Sequence, residues 1–267
     1  MDSSTRTRLD QHLINVRVKL FRAINGGSVE IVREWMRAYS GLSVPSFNIF
    51  QPLTEAGLTD DALADNAAFF MWQKKLYTVE LIHDKFPEGP DYLDQLGYQA
   101  LPPHLAMYFD GSKPVDSGLK LNHEVLVIPV TNVPSLTAYC TLLHQVFDYS
   151  LDDMITFYSV YHLGEELRDI IRHYLVFADE QPVGAGTLIC LDGVASISNV
   201  CTVDAYRRQH IATTLVHQML RDADSHGCSL KGVYSTPDAY NLFNKFDFEI
   251  YTQRQWFLPP DIEYQEW

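Results

Sequence analysis

Cationic side chains are scarce in this chain: 20 Lys and Arg stand against 34 Asp and Glu, a formal net charge of −14 over 267 residues. A field of that sign repels phosphate backbones and anionic lipid, which argues against general nucleic-acid or membrane binding and favours cationic partners such as amines or basic peptides. Long apolar runs are missing too. No uninterrupted stretch approaches the roughly 18 residues a membrane helix needs. The N-terminus, with Asp2, Arg6, Arg8 and Asp10, lacks the apolar core of a secretory leader. Cysteine is sparse, and Cys140, Cys190, Cys201 and Cys228 form no C-x-x-C pair. Neither a disulfide framework nor a zinc site is therefore expected, and the thiols read as reduced in a cytoplasmic protein. His210 and His217 share a helix face but have no third ligand, and no H-E-x-x-H occurs, so no metal is expected. Without a G-x-S-x-G elbow, a serine-hydrolase reading finds no support.

What is present suits a globular protein with real cores: 46% of residues are hydrophobic and 20% charged. The most linker-like stretch, Gly111 to Gly118, places a domain boundary after residue 116, giving segments 1–116 and 117–267. The second segment alternates between strand and helix signals. His123 to Val130 reads as a strand. A helix then opens at Pro134 and continues through Leu136, Tyr139, Leu142, Leu143 and Val146, followed by a second over about 151–162. Strands are expected at Tyr174–Ala178, Val183–Leu191 and Ala195–Val203, the last two joined by an Asp192-Gly193 hairpin. Ile211, Leu215, Val216, Met219, Leu220 and Ala223 recur at helical spacing until Gly227. A strand at Leu230–Tyr234, a helix at Pro237–Phe246 and a strand from Phe248 complete the series. In the first segment, the amphipathic patterns Ile31, Val32, Trp35, Met36, Tyr39 and Ala67, Phe69, Phe70, Trp72 point to core faces.

A strand running into a short basic turn and then a helix can hold a pyrophosphate, because the helix's first amides are unpaired and its dipole is positive there. Arg207 and Arg208 add charge at that turn, and Thr213 and Thr214 offer hydroxyls. The run Val200 to Ala212 (VCTVDAYRRQHIA) resembles the acetyl-CoA motif of the GNAT superfamily of N-acetyltransferases, which reads Arg or Gln, two variable residues, Gly, one variable residue, then Gly or Ala. Arg207 matches the first position and Ala212 the last, while His210 stands in place of the central Gly. His tolerates positive φ better than most residues. Val194 to Val200 after the hairpin resembles the family's fourth strand, and Ala239 to Phe248 (AYNLFNKFDF) its C-terminal helix and strand. The similarity spans roughly 121–258.

The resemblance implies an α/β (α+β) fold: a GNAT-type mixed, mostly antiparallel sheet flanked by helices in the C-terminal domain, 117–267. It further implies acetyl-CoA as co-substrate, without a metal, and transfer of acetyl to an amine. The acceptor is a small molecule or a peptide or protein amino group, and neither it nor the oligomeric state is readable. The cofactor-binding residues carried over are Asn199, Val200, Cys201, Arg207, Arg208, Gln209, His210, Ile211, Ala212, Thr213, Asn241 and Phe243. The catalytic ones are the Val200 N–H as oxyanion donor and Tyr240 as acid, since Phe243 stands where the family often has Tyr. The strand also lacks the family's carboxylate base, with Ser196 and Ser198 as its inward candidates. These departures motivate an alternative, a GNAT-fold protein that binds a CoA ester or a partner without turnover. In segment 1–116, Leu93 to Tyr98 followed by Met107-Tyr108-Phe109 parallels Leu242 to Phe248 followed by Trp256-Phe257-Leu258. That echo reads as a tandem GNAT-like arrangement with a smaller, degenerate or accessory α/β domain first.

Overall fold

The computed structural model describes residues 1–111, 120–122, 124–163 and 165–260, with the side chains of 160–166 outside the description. Apart from Gly111, the expected linker Gly111–Gly118 lies outside the described residues, as does His123. Helix α1 (Ser3–Ala23) precedes strands β1 (Ser28–Ile31), β2 (Trp35–Tyr39) and β3 (Asn48–Pro52), helix α2 (Asp60–Trp72), strand β4 (Thr78–Ile82) and helix α3 (Gly89–Gln95). Strands β5 (Gln99–Ala100), β6 (His104–Phe109) and β7 (Leu126–Pro129) follow, then helices α4 (Val133–Phe147), α5 (Leu151–Leu163) and α6 (Glu165–Arg168). Next come strands β8 (Ile171–Ala178), β9 (Gln181–Leu191) and β10 (Val194–Thr202), helix α7 (Ile211–Ser225), strand β11 (Leu230–Ser235), helix α8 (Tyr240–Asn244) and strand β12 (Glu249–Leu258).

The chain forms two compact units, Met1–Val16 with Met107–Tyr251, and Arg17–Ala106 with Thr252–Trp267. This partition differs from a division after residue 116 because both termini cross it. The first half of α1 belongs with the later strands: Leu9 packs with Val194 and Leu230, and His12 bonds to Ser196.

In the first unit the strand order is β7-β8-β9-β10-β11, antiparallel through β10 and parallel from β10 to β11. Local chemistry accounts for its elements. Asn132 and Ser135 form a capping box at the start of α4, and Pro134 sits in its first turn, where no amide is missed. Asp192 and Gly193 both take positive φ, as a two-residue hairpin demands. One face of α7 is buried through Ile211, Leu215, Val216, Met219, Leu220 and Ala223. Gly186 on β9 lets that helix come close, since a Cβ there would meet Leu215 Cδ2 at 3.0 Å and Met219 Cε at 3.2 Å.

The second unit repeats the order. Strands β1, β2 and β3 pair antiparallel, β3 pairs parallel with β4 across helix α2, and β4 pairs antiparallel with β12. The echo in sequence is an echo in backbone. After α3, Gly97 (φ 81°) donates to Asp94 O at 2.9 Å and Tyr98 to Leu93 O at 3.0 Å. After α8, Asp247 (φ 60°) donates to Asn244 O at 3.1 Å and Phe248 to Phe243 O at 3.3 Å, the same left-handed helix stop. Of the first pattern expected to face a core, Met36 is buried but Ile31 and Val32 are exposed, because residues 31–39 belong to the β1–β2 hairpin. Only Met36 and Ala38 of β2 are buried, at the period of two that a strand imposes. On α2, Phe70 is buried but Trp72 is 80% exposed.

This unit also buries charge. Glu80 pairs with Arg17 and, at 2.7 Å, with Arg254, while Arg17 donates to Gln51 Oε1 at 2.5 Å. Burial raises the Glu80 pKa, the two guanidiniums lower it, and the net lies below the ordinary glutamate value. The stabilisation is therefore complete above the unfolded glutamate range and is lost as pH falls through the lower folded value. We predict that Glu80→Gln, which leaves two buried cations facing a neutral amide, destabilises by about 3–5 kcal/mol. The readout is the urea midpoint at pH 7, and the variant should show a shallower fall in stability than wild type below about pH 4.

Candidate functional site

The first unit's sheet opens at β10. Its parallel pairing with β11 runs from Val194↔Leu230 to Ile197↔Val233 and stops, although the strands continue to Thr202 and Ser235. At the same level the register with β9 shifts between Ser198 and Cys201, and Asn199 takes a φ of 55°. This is a β-bulge. The Asn199 side chain holds it: Nδ2 donates to Tyr158 OH at 2.8 Å, Tyr139 OH at 3.1 Å and Thr187 Oγ1 at 3.3 Å. Beyond the bulge, Val203 N–H donates to Val183 O on β9 at 3.0 Å. Amides alternate in direction along a strand, so the Val200 N–H points away from β9, toward the side that β11 has left.

From β10 the chain passes through a 3-10 turn, Asp204–Tyr206, and a loop in which Arg208 and His210 both take left-handed φ, 63° and 61°. His210 is the N-cap of α7 yet caps nothing with its side chain, and the first turn of the helix contains no acid. The leading amides and the positive end of the dipole therefore face outward. Asn122 braces the loop from behind, its N–H donating to Thr214 Oγ1 at 2.8 Å and its Nδ2 to Gln209 O at 3.0 Å. Arg207 pairs with Asp204 at 2.9 Å and donates through Nε to Thr202 O at 3.4 Å. The parallel crossover of the second unit is built in the opposite sense. Helix α2 starts with Asp60 and Asp61, and Thr59 caps it by accepting from Ala62 N–H at 3.3 Å.

An open cleft of about 620 Å³ lies over the α7 terminus. Of the residues singled out from sequence, Val200, Cys201, Arg207, Arg208, His210, Ile211, Ala212 and Thr213 line it. The others lie elsewhere. Asn199 is turned to the tyrosine cluster, and Gln209 is exposed with Nε2 donating to Ala205 O at 3.3 Å. Short helix α8 and the turn before it present Asp238, Ala239, Leu242 and Lys245 to the cleft, not Tyr240, Asn241 or Phe243. The helical repeat explains the choice: 239, 242 and 245 share one face, and 240 and 243 share another. Tyr240 OH donates to Asn244 Oδ1 at 3.3 Å, and Phe243 is buried against Phe248 with ring centroids 5.7 Å apart. Lys245 and the α4 residues Val146 and Phe147 join the cleft without having been singled out from sequence. Lys245 is legible only once the phase of α8 is known. Burial pushes the Cys201 thiol up to about 12, so it acts as an apolar wall.

Comparison with known proteins follows the same lines. Residues 141–248 match the model of the acetyltransferase (GNAT) family. A GCN5-related N-acetyltransferase from Kribbella flavida shares the fold with a TM-score of 0.72 at 13% identity, over 94% of this chain and 95% of that one. One from Sphaerobacter thermophilus gives 0.63 at 12%, over 88% and 84%. A tandem GNAT protein from the clavulanic acid biosynthesis pathway gives 0.60 at 12%, over 84% and 77%. No curated protein matches.

The bulge generates a test. Asn199→Ala removes the Nδ2 donor shared by three hydroxyls and leaves a non-Gly residue at φ 55°, whereas Asn199→Gly removes the donor but relaxes the backbone. Both should lower the thermal midpoint, and the alanine variant should be about 1–2 kcal/mol less stable than the glycine variant.

Proposed function

We propose, on the premise that residues 141–248 are a domain of the acetyltransferase (GNAT) family, that this chain binds acetyl-CoA in the cleft and transfers its acetyl group to an amine. One observation carries the reading. An uncapped, acid-free helix start lies in the same cleft as Val200 of β10. The chemistry of the site fits the ligand: amides at the start of α7, with Arg207, Arg208 and Lys245, form a cationic end in a chain of net charge −14. The first-turn amides and these cations would hold the pyrophosphate. When bound, acetyl-CoA supplies the acetyl group as an activated thioester. The Val200 N–H would stabilise negative charge developing on the acetyl oxygen, a contribution of about 3–4 kcal/mol for one such donor. Tyr240, expected as the acid, faces away from this cleft. A thiol with an ordinary pKa near ~8.5 can leave as thiolate without it. The acceptor is an amine, a small molecule or a peptide or protein amino group, and the acidic surface favours a cationic one. Among the described residues no helix is long and apolar enough to cross a membrane.

A second reading, binding without turnover, is favoured by the burial of Phe243 and by the sequence of β10, VASISNVCT, which holds no carboxylate.

Calorimetric titration with acetyl-CoA tests the first step. Micromolar affinity is expected, weakened at least about tenfold in an Arg207→Ala/Arg208→Ala double variant and by added salt. His210→Gly should bind at least as well as wild type, because Gly adopts φ 61° freely. An absence of binding heat would refute the reading. Thiol release on adding a panel of primary amines would separate transfer from binding alone.

A further inference from the structure

Acetyl transfer to an amine releases protons, and β10 has no carboxylate to take one. A different acceptor adjoins that strand. His12, on the first half of α1, places Nε2 3.0 Å from Ser196 Oγ and Nδ1 3.3 Å from Leu191 O. A carbonyl oxygen only accepts, so Nδ1 carries the hydrogen, and in the neutral ring Nε2 is left to accept from the Ser196 hydroxyl. The ring is 4% exposed, while Ser196 is half-buried and lies four positions before Val200 on the same strand. The structure thus joins a buried imidazole of fixed tautomer to a half-buried hydroxyl on the strand that carries Val200.

We propose that the His12–Ser196 pair is the proton acceptor for the incoming amine, with Ser196 as the relay and His12 as the positioning base behind it. This rests on the acetyl-transfer reading above. The acceptor's ammonium loses a proton through ordered water to Ser196 Oγ, which passes its own hydrogen to His12 Nε2. The freed nitrogen pair forms the N–C bond, and the C–S bond breaks with its electron pair on sulfur. The second nitrogen proton goes to solvent or to the thiolate. Water is required because four residues of extended strand span ~13 Å.

Other groups on this face are poorer acceptors. Burial raises the pKa of Tyr139 and Tyr158. His173 bonds to Thr187, which is 2% exposed, and stacks on Tyr139, which is wholly buried. Around His12 the charged groups are Asp192 in the β9–β10 turn, held by Asn15 at 3.2 Å, and Arg8, whose Nη2 donates to Gly193 O at 3.4 Å. Burial lowers the His12 pKa, and the Leu191 carbonyl and Asp192 raise it by less, so the ring is neutral at pH 7. Activity should therefore fall as pH drops through a value below the ordinary histidine range, where His12 gains a proton.

The test uses the full chain, with thiol release from acetyl-CoA in the presence of the best amine of the panel, or methylamine if none stands out. His12→Gln, which keeps a hydrogen-bonding side chain but cannot accept the proton, should lower kcat about 100-fold. Acetyl-CoA affinity should be unchanged and the acidic limb of the pH profile lost. Ser196→Ala should lower kcat similarly, and Ser196→Thr, which retains a hydroxyl, should restore most of it. Nitrogen-15 NMR of the free wild-type imidazole should report a neutral, Nδ1-protonated His12 at pH 7. A His12→Gln protein with wild-type kcat and an unshifted acidic limb, or a His12 that is cationic at pH 7, overturns the proposal. A wild-type protein that releases no thiol with any amine sinks the transfer reading first, and this inference with it.

Discussion

An extra residue in β10 governs the site. Strands that continue in register satisfy each other's amides, so an amide free to meet a ligand needs a reason to be there. The bulge at Asn199 supplies that reason, because the strand departs from β11 after Ile197 and shifts against β9 before Cys201. Such a distortion has to be held. The Asn199 amide group does so by bonding to two tyrosines and a threonine, and those partners fix α4 and α5 to β9 and β10. The backbone strain, the polar cluster and the parting of β10 from β11 are thus parts of one arrangement.

The cleft depends on a second constraint, the start of α7. A helix terminus attracts anions only when its amides are not already used and no carboxylate sits in its first turn. Helix α7 has no side-chain cap and no acid in its first turn, and Arg208 and His210 of the loop leading into it are both left-handed. Helix α2, in the corresponding parallel crossover of the second unit, meets neither: Thr59 takes an amide, and Asp60 and Asp61 reverse the local charge. Two crossovers of one design therefore differ in whether an anion is welcome.

Much of the fold was legible in the chain. The amphipathic run from Ile211, the Asp192-Gly193 turn and the Pro134 helix start each rest on local rules that tertiary packing did not override. The echo between Leu93–Tyr98 and Leu242–Phe248 proved to be a shared helix stop, with Gly97 and Asp247 in the same left-handed conformation. Helix α1 was not read. Its buried positions Leu9, Val16 and Leu20 lie at helical spacing, but its other face carries so many charges that the run looks like a solvated tail. Of the core-facing pattern Ile31 to Tyr39, Ile31 and Val32 are exposed, because a strand buries alternate residues and a short apolar run does not show which.

The sequence by itself determined the pieces with local causes: the basic turn before a helix, a residue type able to take positive φ at 210, and the order of strands and helices in the second segment. The tertiary structure alone decided which side chains meet. It turned Phe243 and Tyr240 away from the cleft and Lys245 into it, because the phase of a five-residue helix is set by what it packs against. It also placed His12 against Ser196, 184 residues further along the chain. Spacing rules describe neighbours on one element, whereas contacts across elements depend on how buried faces come together.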